Sequence, residues 1–228
     1  MIIDAVSDLH GGRPELGGGD LLILGGDYTR RGDLREWNDF LMWVKGLEYE
    51  KIVMIGGDHD EFMEARFPNK ASVGMREVVE YLDCRKVKYL YDGWIRYKGL
   101  KIWGSPWSGK FSGMNPACRA FTGNEKHLGK RFGRIQEDVD ILVTHSPPYM
   151  VLDRNKFGVS CGSISLRNEL EGRIRPKLHF FGHIHEGRGK RTVFKREIDG
   201  RRSETICCNV SWMDGDNEET GVVTRVEV

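Results

Sequence analysis

Carboxylate and imidazole side chains recur in five short clusters along this chain, always beside glycine or another small residue or within a strand-to-loop transition. Asp8-Leu9-His10 comes first, followed by Gly25-Gly26-Asp27, Gly56-Gly57-Asp58-His59-Asp60, Thr144-His145 and Gly182-His183-Ile184-His185. Carboxylate oxygens and imidazole nitrogens suit Mn, Fe, Zn and related divalent ions, and no cysteine joins the set, which argues against a structural thiolate zinc site. One cluster alone is weak evidence. Asp8-Leu9-His10 reads equally well as an aspartate turn beside a surface histidine, and Gly26-Asp27 is ordinary turn chemistry. The information lies in the ordered set.

Each cluster needs an element that delivers it, and the sequence supplies one. Apolar runs at Ile2 to Val6, Leu21 to Leu24, Ile52 to Ile55, Ile141 to Val143 and Leu178 to Phe181 each stop just before a cluster. These read as buried strands presenting polar side chains at their C-terminal ends. Helical spacing is expected over Leu34 to Gly46, from Leu34, Trp37, Leu41 and Val44, and over Met75 to Leu82. Alternating strands and helices predict a layered α/β architecture with its ligands beyond the carboxyl ends of the strands. Trp94 to Tyr97 and Leu100 to Trp103 flank Lys98-Gly99, and Thr192 to Ile198 and Ser203 to Cys208 flank Asp199-Gly200, so two hairpins are expected. With the terminal run Val222 to Val228 they add antiparallel strands, and two mixed sheets packed as a sandwich flanked by helices fit best. Ser105 to Gly129 reads as a long loop, able to form a pocket wall, followed by a helix.

Composition narrows the class. With 228 residues, 39% hydrophobic and 30% charged, the chain suits one globular domain over 1–228. Lys and Arg (35) nearly cancel Asp and Glu (34), so no global basic field recruits nucleic acid, and stable nucleic-acid binding is not expected. The five cysteines are odd in number and show no repeated spacing, which favours a reducing, cytoplasmic setting over a disulfide framework. The N-terminus lacks the pattern of a signal peptide, and no run is long enough to span a bilayer. Asp214-Gly215-Asp216-Asn217-Glu218 has the wrong length and glycine position for a calcium loop and reads as an acidic turn.

Taken together, the five clusters resemble the calcineurin-like metallophosphoesterase superfamily, whose order is Asp-x-His, Gly-Asp, Gly-Asn-His-Asp or Glu, a lone His, then Gly-His-x-His. The resemblance spans residues 8 to 185. Gly104-Ser105-Pro106-Trp107, Thr144-His145-Ser146-Pro147-Pro148 and the segment from Arg175 to Gly187 are similar to the metallophosphoesterase-domain-containing branch, which is associated with cyclic-nucleotide phosphodiesterase activity. By position, this implies one divalent cation on Asp8, His10, Asp27 and His185, and a second on Asp27, Asp58, His145 and His183, with Asp27 bridging. Mn is favoured, with Fe, Zn, Ni or Co also fitting the ligands. Two such ions roughly 3.5–4 Å apart lower the pKa of a bridging water and clamp phosphoryl oxygens for in-line attack. His59 resembles the family histidine that protonates or stabilises the leaving oxygen, with Asp60 expected to orient its ring; the alternative is a purely structural His59.

One position departs from the pattern. Asp58 stands where the family usually has Asn, replacing a neutral carbonyl ligand and an N–H donor with a charged acceptor. The assigned carboxylates then total three negative charges against four positive, a balance that favours metal retention over attraction of phosphate. Around the ligands, Asp27-Tyr28-Thr29-Arg30-Arg31-Gly32 resembles the Gly-Asp-x-x-Asp-Arg-Gly stretch of the related protein phosphatases, with Arg30 where their Asp lies, which implies Arg31 as a bidentate phosphate clamp; a solvated basic loop is the alternative. Trp103, Trp107 and Phe111 are able to stack a base; Trp103 is assigned to the core, whereas Trp107 is open between core and substrate contact. Asn209 and Ser211 are placed at the edge of the site. The expected activity is hydrolysis of a small phosphodiester, cyclic or nucleotide-like substrates included. A phosphomonoesterase and a metal-binding scaffold with little turnover are the competing readings.

Overall fold

The computed structural model describes residues 1–66, 86–110, 118–198, 201–214, 218 and 223–228. In chain order its elements are β1 (Ile2–Val6), β2 (Gly19–Leu24), helix α1 (Leu34–Gly46), β3 (Tyr49–Met54), helix α2 (Glu61–Arg66), β4 (Val87–Tyr89), β5 (Gly93–Tyr97), β6 (Leu100–Ser105) and β7 (Ser108–Gly109). There follow β8 (Thr122–Gly123), helix α3 (Glu125–Phe132), β9 (Ile141–Thr144), helix α4 (Ile164–Gly172), β10 (Leu178–Phe181), β11 (Arg191–Ile198), β12 (Arg201–Asn209) and β13 (Thr224–Glu227). The helix expected over Met75 to Leu82 and the turn at Asp199-Gly200 lie outside the described residues.

Two mixed sheets carry all of these strands except β7 and β8, which pair with each other. The first has the order β13-β1-β2-β3-β4, parallel except for β13, and the second the order β11-β12-β10-β9-β6-β5, in which only the two hairpins are antiparallel. Strand side chains alternate between faces, and here both faces are covered, which is why the strands read as continuous apolar runs. Ile3, Ala5, Leu21, Ile23 and Val53 of the first sheet meet Ile102, Ile141, Val143, Leu178 and Phe180 of the second in the core between the sheets. Their neighbours in sequence point outward, into a second set of contacts under the helices. Leu22, Leu24, Ile52 and Met54 belong with Trp37, Phe40, Leu41 and Val44 of α1. Leu142, Phe181 and Cys207 belong with Leu128 and Phe132 of α3 and Leu166 and Leu170 of α4. Burial of each such side chain contributes about 1.5–3 kcal/mol, and these layers offset much of the entropy of ordering the chain.

Local chemistry sets the ends of the elements. Asp33 caps α1 by accepting the Glu36 N–H at 3.0 Å. Leu34, grouped by spacing with the apolar stripe, is instead 50% exposed at the first helical position, while Phe40 is fully buried. In the β5–β6 turn Lys98 and Gly99 both adopt positive φ, 46° and 83°, the conformation a two-residue hairpin demands. The stretch expected as loop then helix contains the β7–β8 pair and then α3, capped by Asn124. Asp214 and Glu218 close on one another, the Glu218 N–H donating to the Asp214 carboxylate at 2.9 Å, as an acidic turn does.

Candidate metal centre

Five strand-to-loop transitions converge at one end of the sandwich. Asp8 and His10 follow β1, Asp27 follows β2, Asp58 to Asp60 follow β3, His145 follows β9, and His183 and His185 follow β10. The two sheets are joined there by backbone bonds: the Ser7 N–H donates to the Val210 carbonyl and the Trp212 N–H to the Ser7 carbonyl, both at 2.9 Å. Asp8, His10, Asp27 and His183 all have positive φ, between 41° and 66°, a region that Asp and His enter more readily than other side-chain-bearing residues. These turns swing the side chains back over the strand ends. Glycines make the closeness possible: a Cβ on Gly57 would lie 2.2 Å from Asp27 Oδ1, and one on Gly182 would lie 2.0 Å from Asp8 Oδ2.

Within the centre, two triads of donor atoms form, Asp8 with His10 and His185, and Asp58 with His145 and His183, each within 4.8 Å. Asp27 falls into groups with members of both, with His10 and His59 on one side and with Asp8 and His145 on the other. Asp58 Oδ1 lies 2.8 Å from His145 Nε2 and 2.9 Å from His183 Nδ1. Asp27 Oδ2 lies 3.4 Å from His145 Nε2 and 3.9 Å from His10 Nε2, and Asp8 Oδ1 lies 3.5 Å from His185 Nε2. Asp8, Asp27, Asp58 and His145 are buried, whereas His10, His183 and His185 keep part of their rings open. Three nearly dehydrated carboxylates around converging imidazole nitrogens need positive charge between them, so the residues fit divalent cations. His145 Nδ1 faces the Gly25 carbonyl at 3.0 Å, which fixes Nδ1–H as a donor and turns the Nε2 lone pair inward. The Asp8 carboxylate also accepts the Ser7 hydroxyl and the His183 N–H, so its orientation is held from both sheets.

Burial opposes charge throughout the cluster, and the neighbours decide the outcome. Asp8 and Asp58 are held below the ordinary carboxylate range despite burial, by His185 and by His183 and His145 respectively. His59 is desolvated too, yet the uncompensated charges of Asp27 and Asp58, with its Cys118 and Arg30 contacts, push it up to about 11. Its ring is fixed at both nitrogens, Nδ1 by the Arg30 carbonyl at 3.0 Å and Nε2 by Cys118 Sγ at 2.8 Å, while its backbone N–H donates to Asp27 Oδ1 at 2.9 Å.

Asp60 takes a different part from the one expected. The His59 ring nitrogens face Arg30 and Cys118, whereas the Asp60 carboxylate turns inward and accepts the N–H groups of Asp27 (2.9 Å), Tyr28 (3.1 Å) and Gly57 (2.9 Å) and the Thr29 hydroxyl (3.1 Å). Burial and the nearby Asp27 push its carboxyl up to about 7, with the N–H donors pulling the other way. Asp60 therefore staples the β2 and β3 loops together. Trp107 is also corrected. It is 4% exposed, donates its indole N–H to Asp92 at 3.1 Å, and is covered by the Arg131 guanidinium at 4.2 Å, so no ring face is available to a base. Arg31 is exposed on the loop, and its neighbour Arg30 is the one whose guanidinium turns onto the His10 carbonyl, at 2.5 Å. Phe111 lies outside the described residues. Asn209 supports the centre from below, donating to the Ile184 carbonyl at 2.8 Å, and Ser211 donates its N–H back to Asn209. Cys118 and Arg30 were not singled out by sequence. Arg30 sits next to the basic position considered, whereas nothing local marks Cys118.

A helix-flanked two-sheet sandwich with paired Asp/His donor groups at its strand ends defines a site of the divalent-metal-binding type. Comparison with known proteins gives the family: the model for calcineurin-like phosphoesterases matches residues 1–187, and the chain belongs to that family. It is 35% identical over 188 residues to human metallophosphoesterase domain-containing protein 1, covering 75% of this chain and 56% of that protein. It is 31% identical over 202 residues to a UPF0046 protein of Caenorhabditis elegans, covering 84% of this chain and 69% of the relative. The chain thus spans little more than half of the human relative's length. A crystal structure of a Thermus thermophilus protein shares the fold with a TM-score of 0.59 at 13% identity, covering 99% of this chain and 97% of that one.

Proposed function

We propose that the chain hydrolyses small phosphodiesters at a centre of two divalent cations, Mn being favoured. The observation that carries this reading is the pair of donor triads with Asp27 between them and the His59 ring at their edge. Asp8, His10 and His185 would hold one cation, Asp58, His145 and His183 the other, and Asp27 both. When bound, such ions supply a nucleophilic water at neutral pH and neutralise phosphoryl oxygens. The rest falls to the chain. The Gly25 carbonyl keeps His145 in one tautomer, and Asp60 holds the Asp27 loop in its left-handed turn. His59, held at Nδ1 by the Arg30 carbonyl, donates from Nε2 to the departing oxygen, which takes the place of the Cys118 thiol that Nε2 now faces at 2.8 Å. No helix among the described residues is long and apolar enough to cross a membrane. The free thiols of Cys118, Cys161, Cys207 and Cys208 support a reducing, cytoplasmic location.

The test loads the protein with Mn and assays bis-p-nitrophenyl phosphate, p-nitrophenyl phosphate and 2′,3′-cyclic AMP. The diesters are expected to turn over faster than the monoester. His59→Ala is expected to lower turnover about 10²–10⁴-fold with metal content unchanged. Preference for the monoester would make the protein a phosphatase, and a metal-free protein inactive on all three would make it a scaffold. Equal loss of metal in His59→Ala would make His59 structural.

A further inference from the structure

One wall of the metal centre continues into a cavity of about 550 Å³, lined among others by His183, Ile184, Tyr149, Val159 and Ile164. That volume lies in the range of pockets that take organic ligands. Its outer wall is the segment from Pro147 to Ser163, and this segment is a built structure. The Ser163 N–H donates to the Pro147 carbonyl at 2.9 Å and the Tyr149 N–H to the Ser163 carbonyl at 3.0 Å, closing its base. Asp153 accepts the N–H groups of Met150 and Gly162 at 2.8 and 3.0 Å, and the Asn155 N–H pairs with the Val159 carbonyl at 3.0 Å.

The polar groups of this wall are largely spent on the wall itself. The Asn155 side-chain oxygen accepts the N–H groups of Phe157 and Val159, both at 3.0 Å, and the Glu125 carboxylate accepts the Ser165 N–H at 2.8 Å. Beside Lys110, Ser160 and Cys161 at its edge, apolar surface is what remains for a ligand. Val159 is 57% exposed and Ile164 49%, and both line the cavity beside His183. The position of His59 adds direction. Its ring packs on His10 with centroids 4.5 Å apart, while His183 packs on His145 at 5.0 Å. The His59 ring thus packs against one half of the cluster and the His183 ring against the other, with Asp58 in reach of both. On the role proposed for His59 the leaving group departs beside that ring, which leaves the cavity beside His183 to the other ester substituent.

We propose that this cavity binds the retained organic substituent of the phosphodiester, and that the substituent is apolar and of aryl size. The inference rests on the diesterase reading above and deepens it, since a monoester carries no retained group to fill the cavity.

The test uses diesters with one leaving group, p-nitrophenol, and two retained groups, methyl and phenyl, each rate being divided by that diester's own alkaline hydrolysis rate. The Mn-loaded protein is expected to favour phenyl over methyl by at least about tenfold in kcat/KM, given what a few buried carbons are worth in an apolar pocket. Val159→Thr and Ile164→Thr should each shrink that ratio to about threefold or less with Tm unchanged, the ratio within each variant cancelling any loss common to both diesters. Calorimetric binding of phenylphosphonate against methylphosphonate to the same three proteins supplies a readout independent of turnover, with the same order of preference expected. Unchanged phenyl-to-methyl ratios in both variants, or equal affinity of the wild type for the two phosphonates, would overturn the proposal. If neither diester is hydrolysed, the diesterase reading fails, and the phosphonate affinities still decide what the cavity binds.

Discussion

Replacing Asp60 with alanine removes the shared acceptor of three buried backbone N–H groups, those of Asp27, Tyr28 and Gly57, together with the Thr29 hydroxyl. Each buried donor left without a partner costs about 1–3 kcal/mol, so the three N–H groups alone set a range of about 3–9 kcal/mol. Release of the carboxylate from its own burial and entry of water into the vacated space offset part of this, which leaves an expected loss of about 3–5 kcal/mol. For a chain of this size that lowers Tm by about 6–20 °C. Asp60→Asn is expected to be milder, about 1–3 kcal/mol. Its carbonyl can keep the Asp27 and Gly57 bonds now made to Oδ2, and the Thr29 hydroxyl can rotate, so only the Tyr28 N–H loses its acceptor. Because Asp27 at φ 55° is held by this staple, the alanine variant should also retain less metal after loading and desalting. Thermal unfolding and elemental analysis of the three proteins decide the matter. Slower turnover of Asp60→Ala with unchanged Tm and metal content would refute the staple and restore Asp60 as a partner of His59.

Three further outcomes are expected. His179 is fully buried on β10, where burial pushes its imidazole down to about 3. Its folded pKa lies below the unfolded value of about 6.5, so the stability it permits is complete above that pH and is lost as pH falls toward the folded value, on the order of 3 kcal/mol by pH 4.5. Urea unfolding in EDTA should show that loss in the wild type and a flatter profile in His179→Phe; parallel profiles would exclude this histidine as the source. Asp58→Asn keeps an oxygen for His145 and His183 but removes one charge, which at about 6 Å and an effective dielectric of about 20 amounts to about 3 kcal/mol before screening. Inorganic phosphate should then inhibit the Mn-loaded variant at roughly tenfold lower concentration, and identical inhibition with identical metal content would remove the charge argument. Gly182→Ala drives a Cβ to 2.0 Å from both Asp8 Oδ2 and Ser7 Oγ, and is expected to abolish metal retention, whereas Gly46→Ala, with nothing within 4 Å, should retain metal as the wild type does. Full metal content in Gly182→Ala would mean that the β10 loop yields.

The parts of the fold that were legible in sequence are those whose determinants are local. Ile2 to Val6, Leu21 to Leu24 and the other apolar runs announce strands because both faces are buried, and the small residues after them mark where each strand must turn. Helix α1 declares itself through Asp33 and a capped apolar stripe. Helix α4 does not, since it buries only Leu166 and Leu170 and its sole signal is the Ser163 cap. The candidate site divides in the same way. Its donors follow a fixed order along the chain and were readable as a set. Asp60 misled because its neighbour in sequence is His59, while its hydrogen-bond partners Asp27 and Tyr28 lie 33 and 32 residues away. Trp107 was undecidable because the groups that cover it, Asp92 and Arg131, come from the turn before β5 and from α3. Cys118 reaches His59 across 59 residues, with no periodicity to announce it.

The distribution of the donors over two sheets has one more consequence. Asp8, Asp27 and Asp58 hang from the first sheet and His145, His183 and His185 from the second, and the Asp8 carboxylate already takes the His183 N–H across the seam. On the proposed ligation, each cation spans that seam, so the sheets cannot part without releasing it. Folding and metal supply then become one equilibrium. At a free ion concentration a hundredfold above its Kd, each bound ion adds about 2.7 kcal/mol to stability. Scarcity of the ion would thus shorten the life of the folded chain as well as silence its chemistry, and cellular abundance of the protein would follow the metal it depends on.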